Sequence, residues 1–295
     1  MKFKNIDTNI SVTLIKDSCY DADDGTSPRI STFVMDIPKF LLAELNTHRV
    51  NSRNSQSSRA VTPGKYSAMV PMFDPIVYGL ECSGMRSKEE AKGDQLEAIK
   101  TLWNEARENA IAYSRSLSKA GLHKQWASRV AESFYMARSI VTATTFENFF
   151  DQRCSEYAQP EFEYIATMMR EQLRASTPGV LTPGEYHIPY EEELPDNIVD
   201  LDKRLDLCAA MIAKVSYRNE QFDEEGLTKV VNMLKGMRHA SPFEHIAKVP
   251  EYTDYEAGAV DTIDRPVNIE DCLNPTRWHS GNLKGWIQYR RMLGL

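Results

Sequence analysis

The stretch from Asn46 to Arg59, NTHRVNSRNSQSSR, gathers three arginines (Arg49, Arg53, Arg59), one histidine (His48) and four serines (Ser52, Ser55, Ser57, Ser58). Arginine presents a rigid fork of donors that suits phosphate, and serine hydroxyls add neutral donors beside it. Such a set forms a fixed anion site if a packed element holds it. The apolar run Phe40 to Leu45 just before it reads as the buried face of a helix. The alternative is a solvated basic helix end, since cations sit well at helix C-termini.

The surrounding elements are expected as follows. Ile10 to Ile15 and Ile30 to Val34 read as strands, with Tyr20 to Arg29 a loop between them. Pro38 fits the first turn of the helix that delivers the basic stretch, and Thr62-Pro63-Gly64 breaks regular structure. Tyr66 to Ser87 is irregular. Lys88 to Ala120 is a long amphipathic helix whose stripe from Leu96 to Tyr113 marks a core or a helix interface. Gly121 closes it, and GLHKQWASR begins another helix that carries Arg129. Ile140 to Thr145 is a short strand or a helix start, and the pattern is helical from Phe146 on. A proline-rich connector, 177–200, precedes helices over Leu201 to Ser216 and Gly226 to Lys235. The run from Ser280 to Arg291 reads as a basic tail helix.

Several chemistries are disfavoured. The five cysteines (Cys19, Cys82, Cys154, Cys208, Cys272) are scattered, with no CxxC pair, so neither a zinc site nor a disulfide framework is indicated. Reduced thiols in a cytoplasm fit best. His239 and His245 stand six apart without an HExxH pattern, so no metal is expected. No nucleophile elbow, GxGxxG or P-loop is present. The net charge of −7 argues against a general nucleic-acid binder, although not against a local basic pocket. No apolar run approaches the roughly 20 residues of a membrane span. The N-terminal MKFKNIDTNISVTL lacks a signal-peptide core and reads as a strand.

Three blocks resemble the flavin-dependent thymidylate synthases (the ThyX type). The first signature of that family runs Arg-His-Arg, two residues, Ser, one, Asn-Glu, one, Ser, one, Arg. His48, Arg49, Ser52, Asn54, Ser57 and Arg59 match it, while Thr47 replaces the first Arg and Ser55 the Glu. The second block is Asn148-Phe-Phe-Asp-Gln-Arg153 with Ala158-Gln159, in which Tyr157 stands for the usual His and Pro160 for Trp. The third is Ala213-Lys-Val-Ser216 followed by His239-Ala-Ser241-Pro-Phe-Glu244-His245. In the common arrangement the third block precedes the first; here it follows.

The resemblance implies an α+β fold, an antiparallel sheet flanked by helices, with 1–295 as one catalytic domain in a homotetramer whose sites draw on more than one subunit. It implies reductive transfer of one carbon from methylenetetrahydrofolate to dUMP, giving dTMP, with FAD as carrier and NADPH as reductant, and no nucleic acid or membrane partner. Glu44, Ser57, Arg59, Arg129 and Arg153 would hold the nucleotide, with Arg153 and Ser57 nearest the chemistry. His48, Arg49, Asn148, Ser216, His239, Ser241 and Glu244 would line the FAD site. Arg290 or Arg291 of the tail is a candidate to replace the cation missing at Thr47. The departures at Thr47, Ser55 and Tyr157 keep two alternatives open. One is hydroxymethylation of dUMP or action on dCMP; the other is a non-catalytic flavin- or nucleotide-binding protein.

Overall fold

The computed structural model describes residues 6–22, 25–217, 223–251, 254, 261–262 and 278–295 of the chain. Cys272 and the first five residues of the expected N-terminal strand lie outside that set.

The central sheet is built on three long strands. β1 (Ser11–Cys19) pairs with β2 (Arg29–Pro38), and β2 pairs with β4 (Met136–Ala143), both antiparallel. The short β3 (Ser52–Ser55) lies antiparallel to β4, and β5 (Gly179–Val180) adds in parallel to β1, giving the order β3-β4-β2-β1-β5. β2 and β4 are apolar and β-branched and are buried along both faces, as central strands must be. Side chains alternate across the sheet. Phe33 opposes Val141 on one face, and Thr32 opposes Thr142 on the other.

Helices cover both faces. On the Phe33 side lie α5 (Glu147–Arg153) and α6 (Pro160–Ala175). Pro160 occupies the first turn of α6, where its missing N–H costs nothing, and Glu161 and Glu163 suit the positive end of the helix dipole. Phe162, Ile165, Ala166 and Met169, at spacings of three and four, pack against Phe33, Met35 and Val141. The opposite face takes α7 (Leu201–Ala213) through Leu205, Cys208, Ala209 and Ile212, which meet Ile140 and Phe243. The antiparallel sheet flanked by helices is therefore present. Phe33 is fully buried and meets Phe146 edge-on at 5.6 Å. Phe33→Ala is expected to cost about 3–5 kcal/mol of stability, read from the urea midpoint.

Several local expectations are corrected. The Pro63-Gly64 pair starts α2 (Pro63–Met69), with Pro63 in its first turn, so the segment from Tyr66 is partly helical. Pro38 ends β2, and only a 3-10 turn (Lys39–Leu41) and α1 (Leu42–Leu45) separate that strand from the basic stretch. Arg53 therefore lies on a strand and not at a helix end. The long helix is α3 (Gly93–Lys119); Leu102 and Tyr113 of its stripe are exposed, whereas Trp103, Ala110 and Ile111 pack on the core. α4 (Lys124–Ala127) is one turn, followed by a 3-10 helix (Ser128–Phe134) that carries Arg129. The connector contains β5 and β6 (Tyr186–His187). α8 (Glu224–Gly236) ends as expected, and a 3-10 helix (Ser241–His245) leads into β7 (Ala247–Lys248). β8 (Asp261–Thr262) and β9 (Trp278–Ser280) follow. The tail is not a helix. It forms β10 (Leu283–Lys284) and β11 (Ile287–Gln288), and only α9 (Tyr289–Met292) is helical. Gly281 and Gly285, with φ of 61° and 72°, make the turns that a helix could not contain.

Candidate active site

The first and second blocks meet at the start of β3. Arg153, the last residue of α5, places its guanidinium over the Phe162 ring at 4.6 Å. Its Nη1 donates to Glu44 Oε2 at 2.7 Å, its Nε to His48 Nε2 at 2.9 Å, and its Nη2 to Thr47 Oγ1 at 3.4 Å. His48 is buried and packs edge-on against Phe149 at 4.9 Å. Burial, together with the charges of Arg153 and Arg53, lowers its pKa to about 4. At neutral pH the ring is uncharged, so Nε2 accepts from Arg153. Arg53 Nη1 in turn donates to the His48 carbonyl at 2.5 Å. The cation of Arg153 is thus fixed on three sides, with its position set by residues about a hundred positions earlier in the chain.

A second cluster follows the other end of β3. The Ser57 N–H donates to Ser216 Oγ at 3.1 Å, and Ser57 Oγ accepts from the Arg59 N–H at 3.3 Å. No acid or imidazole bonds Ser57 Oγ among the described residues, which suits a donor to an anion better than a nucleophile. Beneath the loop, Lys39 is buried and donates to the Gln56 carbonyl at 3.0 Å; burial lowers its pKa, Glu132 opposes that shift and Arg129 adds to it. Glu132 also accepts from Ser58 Oγ. Arg129 thus acts electrostatically on Lys39, which bonds the same loop. Arg49, Arg59 and Arg129 are exposed and form no ion pair with the described residues. No bond among the described residues joins the two ends of β3, so Glu44 and Arg153 form one group and Ser57 and Arg59 another.

The third block braces β3 despite its late place in the chain. Ser241 Oγ donates to the Arg53 carbonyl at 2.8 Å, and Ser216 holds Ser57. Glu244 is paired with Arg290. Arg290 Nε bonds the Leu295 carbonyl at 3.0 Å and no bond runs from Arg290 to Thr47, so this tail cation serves Glu244 instead. Of the remaining expected flavin contacts, His239 is exposed, and Asn148 is exposed with its Oδ1 taken by Gln152.

Sequence reasoning missed two sets of residues. The tail holds the signature loop: Asn282 Nδ2 donates to the Val50 carbonyl at 3.0 Å, and Gln288 Nε2 bonds Asn282 Oδ1 at 2.9 Å and Ser52 Oγ at 3.3 Å. Gln288→Leu leaves buried Ser52 with fewer partners, and is expected to lower stability by about 1–3 kcal/mol and to speed amide exchange across residues 50–54. The second set is a buried chain of bonds, Ser18–His187–Thr32–Thr142–His245, with links of 2.6–3.0 Å. His245 is fully buried there and His239 is exposed, and no group of three or more His, Cys, Asp or Glu that could hold a metal occurs among the described residues. The sequence carries no signal for these contacts, because their partners are far apart along it. Burial raises the thiols of Cys19, Cys154 and Cys208, the last to about 12, the reverse of an activated nucleophile.

The fold is α+β, an antiparallel sheet flanked by helices, with the signature strand β3 at its edge. The sequence pattern described as thymidylate synthase complementing protein matches residues 30–179, just over half of the chain, and the chain belongs to that family. No curated protein sequence matches it. Among solved structures, it is similar to a UMP/dUMP methylase, PolB, from Streptomyces cacaoi. The complex with 5-Br dUMP is 19% identical, with a TM-score of 0.47, covering 57% of this chain and 91% of that one. The complex with 5-Br UMP is 18% identical, with a TM-score of 0.49, covering 57% and 90%.

Proposed function

We propose that the protein is a flavin-dependent thymidylate synthase, moving one carbon from methylenetetrahydrofolate to dUMP to give dTMP, with FAD as carrier and NADPH as reductant. The observation that carries this reading is the convergence of all three signature blocks on β3 although the third follows the others in the chain. The donor set fits FAD and nucleotide phosphates in kind: Arg49, Arg59 and Arg129 are exposed cations that form no ion pair with the described residues, and Ser57 and His239 lie within the signature blocks. Ser216, Ser241 and Glu244, in contrast, already bond to protein groups and would shape the flavin site more than contact it.

When bound, the flavin supplies the one-carbon transfer and the reducing equivalents. The chain positions and polarises. Arg153, held by neutral His48 and by Glu44, presents a fixed cation where negative charge builds on the pyrimidine. Ser57, Arg59 and Arg129 would hold the phosphate end. The separation of these two groups at opposite ends of β3 fits a site completed by a second subunit, as the homotetramer implied by the family provides. No helix among the described residues is long and apolar enough to cross a membrane.

The test is the mass of the nucleotide formed from dUMP with FAD, NADPH and methylenetetrahydrofolate. A gain of one methyl group supports the proposal. A hydroxymethyl product, or reaction of dCMP alone, moves the assignment to a modified-nucleotide enzyme, and no product with bound FAD leaves a binding protein.

A further inference from the structure

The loop from Gln56 to Ala60 carries Ser57 and Arg59. It is held from beneath by Lys39, Glu132 and Lys124, none of which lies in a signature block. Its side chains alternate: Gln56 and Ser58 are buried, whereas Ser57 is half-buried and Arg59 exposed. The Gln56 carbonyl accepts from Lys39 Nζ at 3.0 Å, and the Gln56 N–H donates to the Arg138 carbonyl at 2.8 Å. Ser58 Oγ donates to Glu132. Lys124 Nζ closes the far end of the loop by donating to the Ala60 carbonyl at 2.9 Å. Lys39 stands on the 3-10 turn after β2 and is only 9% exposed; Glu132 stands on the 3-10 helix after α4. Two features set Lys39 apart from an ordinary brace. It uses one of its three N–H donors on the described residues. Its charge also lacks a direct partner there: Glu132 acts on it through space without forming an ion pair, and Arg129 acts against it. Burying a charge is costly unless an opposite charge compensates it. An anion on the outer side of the same loop would add to that compensation. Solvent screens buried charges weakly, so such an anion would feel Lys39 with the loop between them.

We propose that Lys39 and Glu132 are positioning residues that set the affinity of this loop for a phosphate monoester, Lys39 raising it and Glu132 lowering it. Assigning that phosphate to dUMP rests on the proposed function. Neither residue touches the nucleotide. Lys39 acts through the Gln56 carbonyl and Glu132 through Ser58, on either side of Ser57. Each holds the loop, but the first adds positive charge beneath it and the second negative charge. The opposite signs separate this role from a purely architectural one, in which loss of either bond would loosen the loop and weaken the ligand alike.

Calorimetric titration of the full chain with dUMP, and separately with deoxyuridine, in the presence of FAD tests the couple. Lys39→Met fills similar space without the charge and is expected to weaken dUMP binding about tenfold, the scale of one charge acting through protein. Glu132→Gln keeps an oxygen for Ser58 Oγ and should strengthen dUMP binding about threefold, since this acid is nearer the surface and better screened. Deoxyuridine, which lacks the phosphate, should respond to neither variant, and FAD affinity should not change. In turnover, the loss in Lys39→Met should fall in the KM for dUMP more than in kcat. Weaker dUMP binding in both variants, or equal losses for dUMP and deoxyuridine, reduces the couple to architecture and overturns the proposal. Unchanged dUMP affinity in both variants, or no dUMP binding by the wild type, also overturns it. Opposite shifts in FAD affinity with dUMP unmoved overturn the nucleotide assignment and give the loop to the FAD diphosphate. The two readings fail separately. Turnover of dUMP with KM unchanged in both variants removes the couple but keeps the enzyme. Opposite shifts in dUMP affinity without turnover do the reverse.

Discussion

Arg153→Ala is expected to lower nucleotide turnover by at least about 100-fold, as removal of a preorganised charge at a developing anion does. Bound FAD should be retained. The variant removes the partner of Glu44 and the donor to His48 Nε2 together. It also removes one of the two arginine charges that hold the His48 pKa down, so the histidine should titrate above its present value of about 4. Arg153→Lys is the informative companion. A lysine keeps the charge but cannot reach Glu44, His48 and Thr47 through one planar fork, so most of the loss should persist. Steady-state kinetics, together with the flavin absorbance of the purified variant, checks both statements. Unchanged turnover removes Arg153 from the site.

The second large effect is on stability at acid pH. His48, His187 and His245 have folded pKa values of about 4, 3 and 3, all below the ordinary value of 6.5, with burial the first cause in each. Above pH 6.5 the rings are neutral in both the folded and the unfolded chain, and nothing is lost. Below it the unfolded chain takes up protons that the folded chain refuses, so stability falls as pH drops towards the folded values. For fully buried His187 and His245 the slope is about 1.4 kcal/mol per pH unit for each ring. Urea midpoints measured between pH 7 and 4 should show this decline, and His245→Gln should flatten it. A midpoint independent of pH over that window contradicts the neutral Ser18–His187–Thr32–Thr142–His245 chain.

β2 was legible because it concentrates β-branched and apolar residues after a run of turn formers, whereas Ile140 to Thr145 reads equally as a strand or a helix start and only the fold makes it the end of β4. α6 was legible from its spacing of Phe162, Ile165 and Met169. Pro63-Gly64 misled, because proline in a first helical turn looks the same in sequence as proline that ends a helix. The tail misled for the opposite reason: its Trp, Gln and Arg residues suggest a helical face, whereas Gly281 and Gly285 adopt positive φ and turn the chain between short strands. In the site, Arg153, His48 and Ser57 could be named because their blocks are local patterns. The contacts of Gln288 with Ser52, 236 residues apart, and of His245 with Thr142, 103 apart, have no local signal and arise only from folding. Nor could the sequence show that Glu244 is satisfied by Arg290, which turns an expected flavin contact into a structural ion pair.

The central claim is that these blocks form a flavin site and not merely a fold. The most direct measurement is the visible absorption spectrum of purified protein with FAD, recorded anaerobically before and after NADPH with dUMP present. The account predicts a bound flavin band that bleaches on addition of NADPH. A protein that takes up no FAD and stays colourless would contradict it, leaving three converged signature blocks that serve the architecture alone.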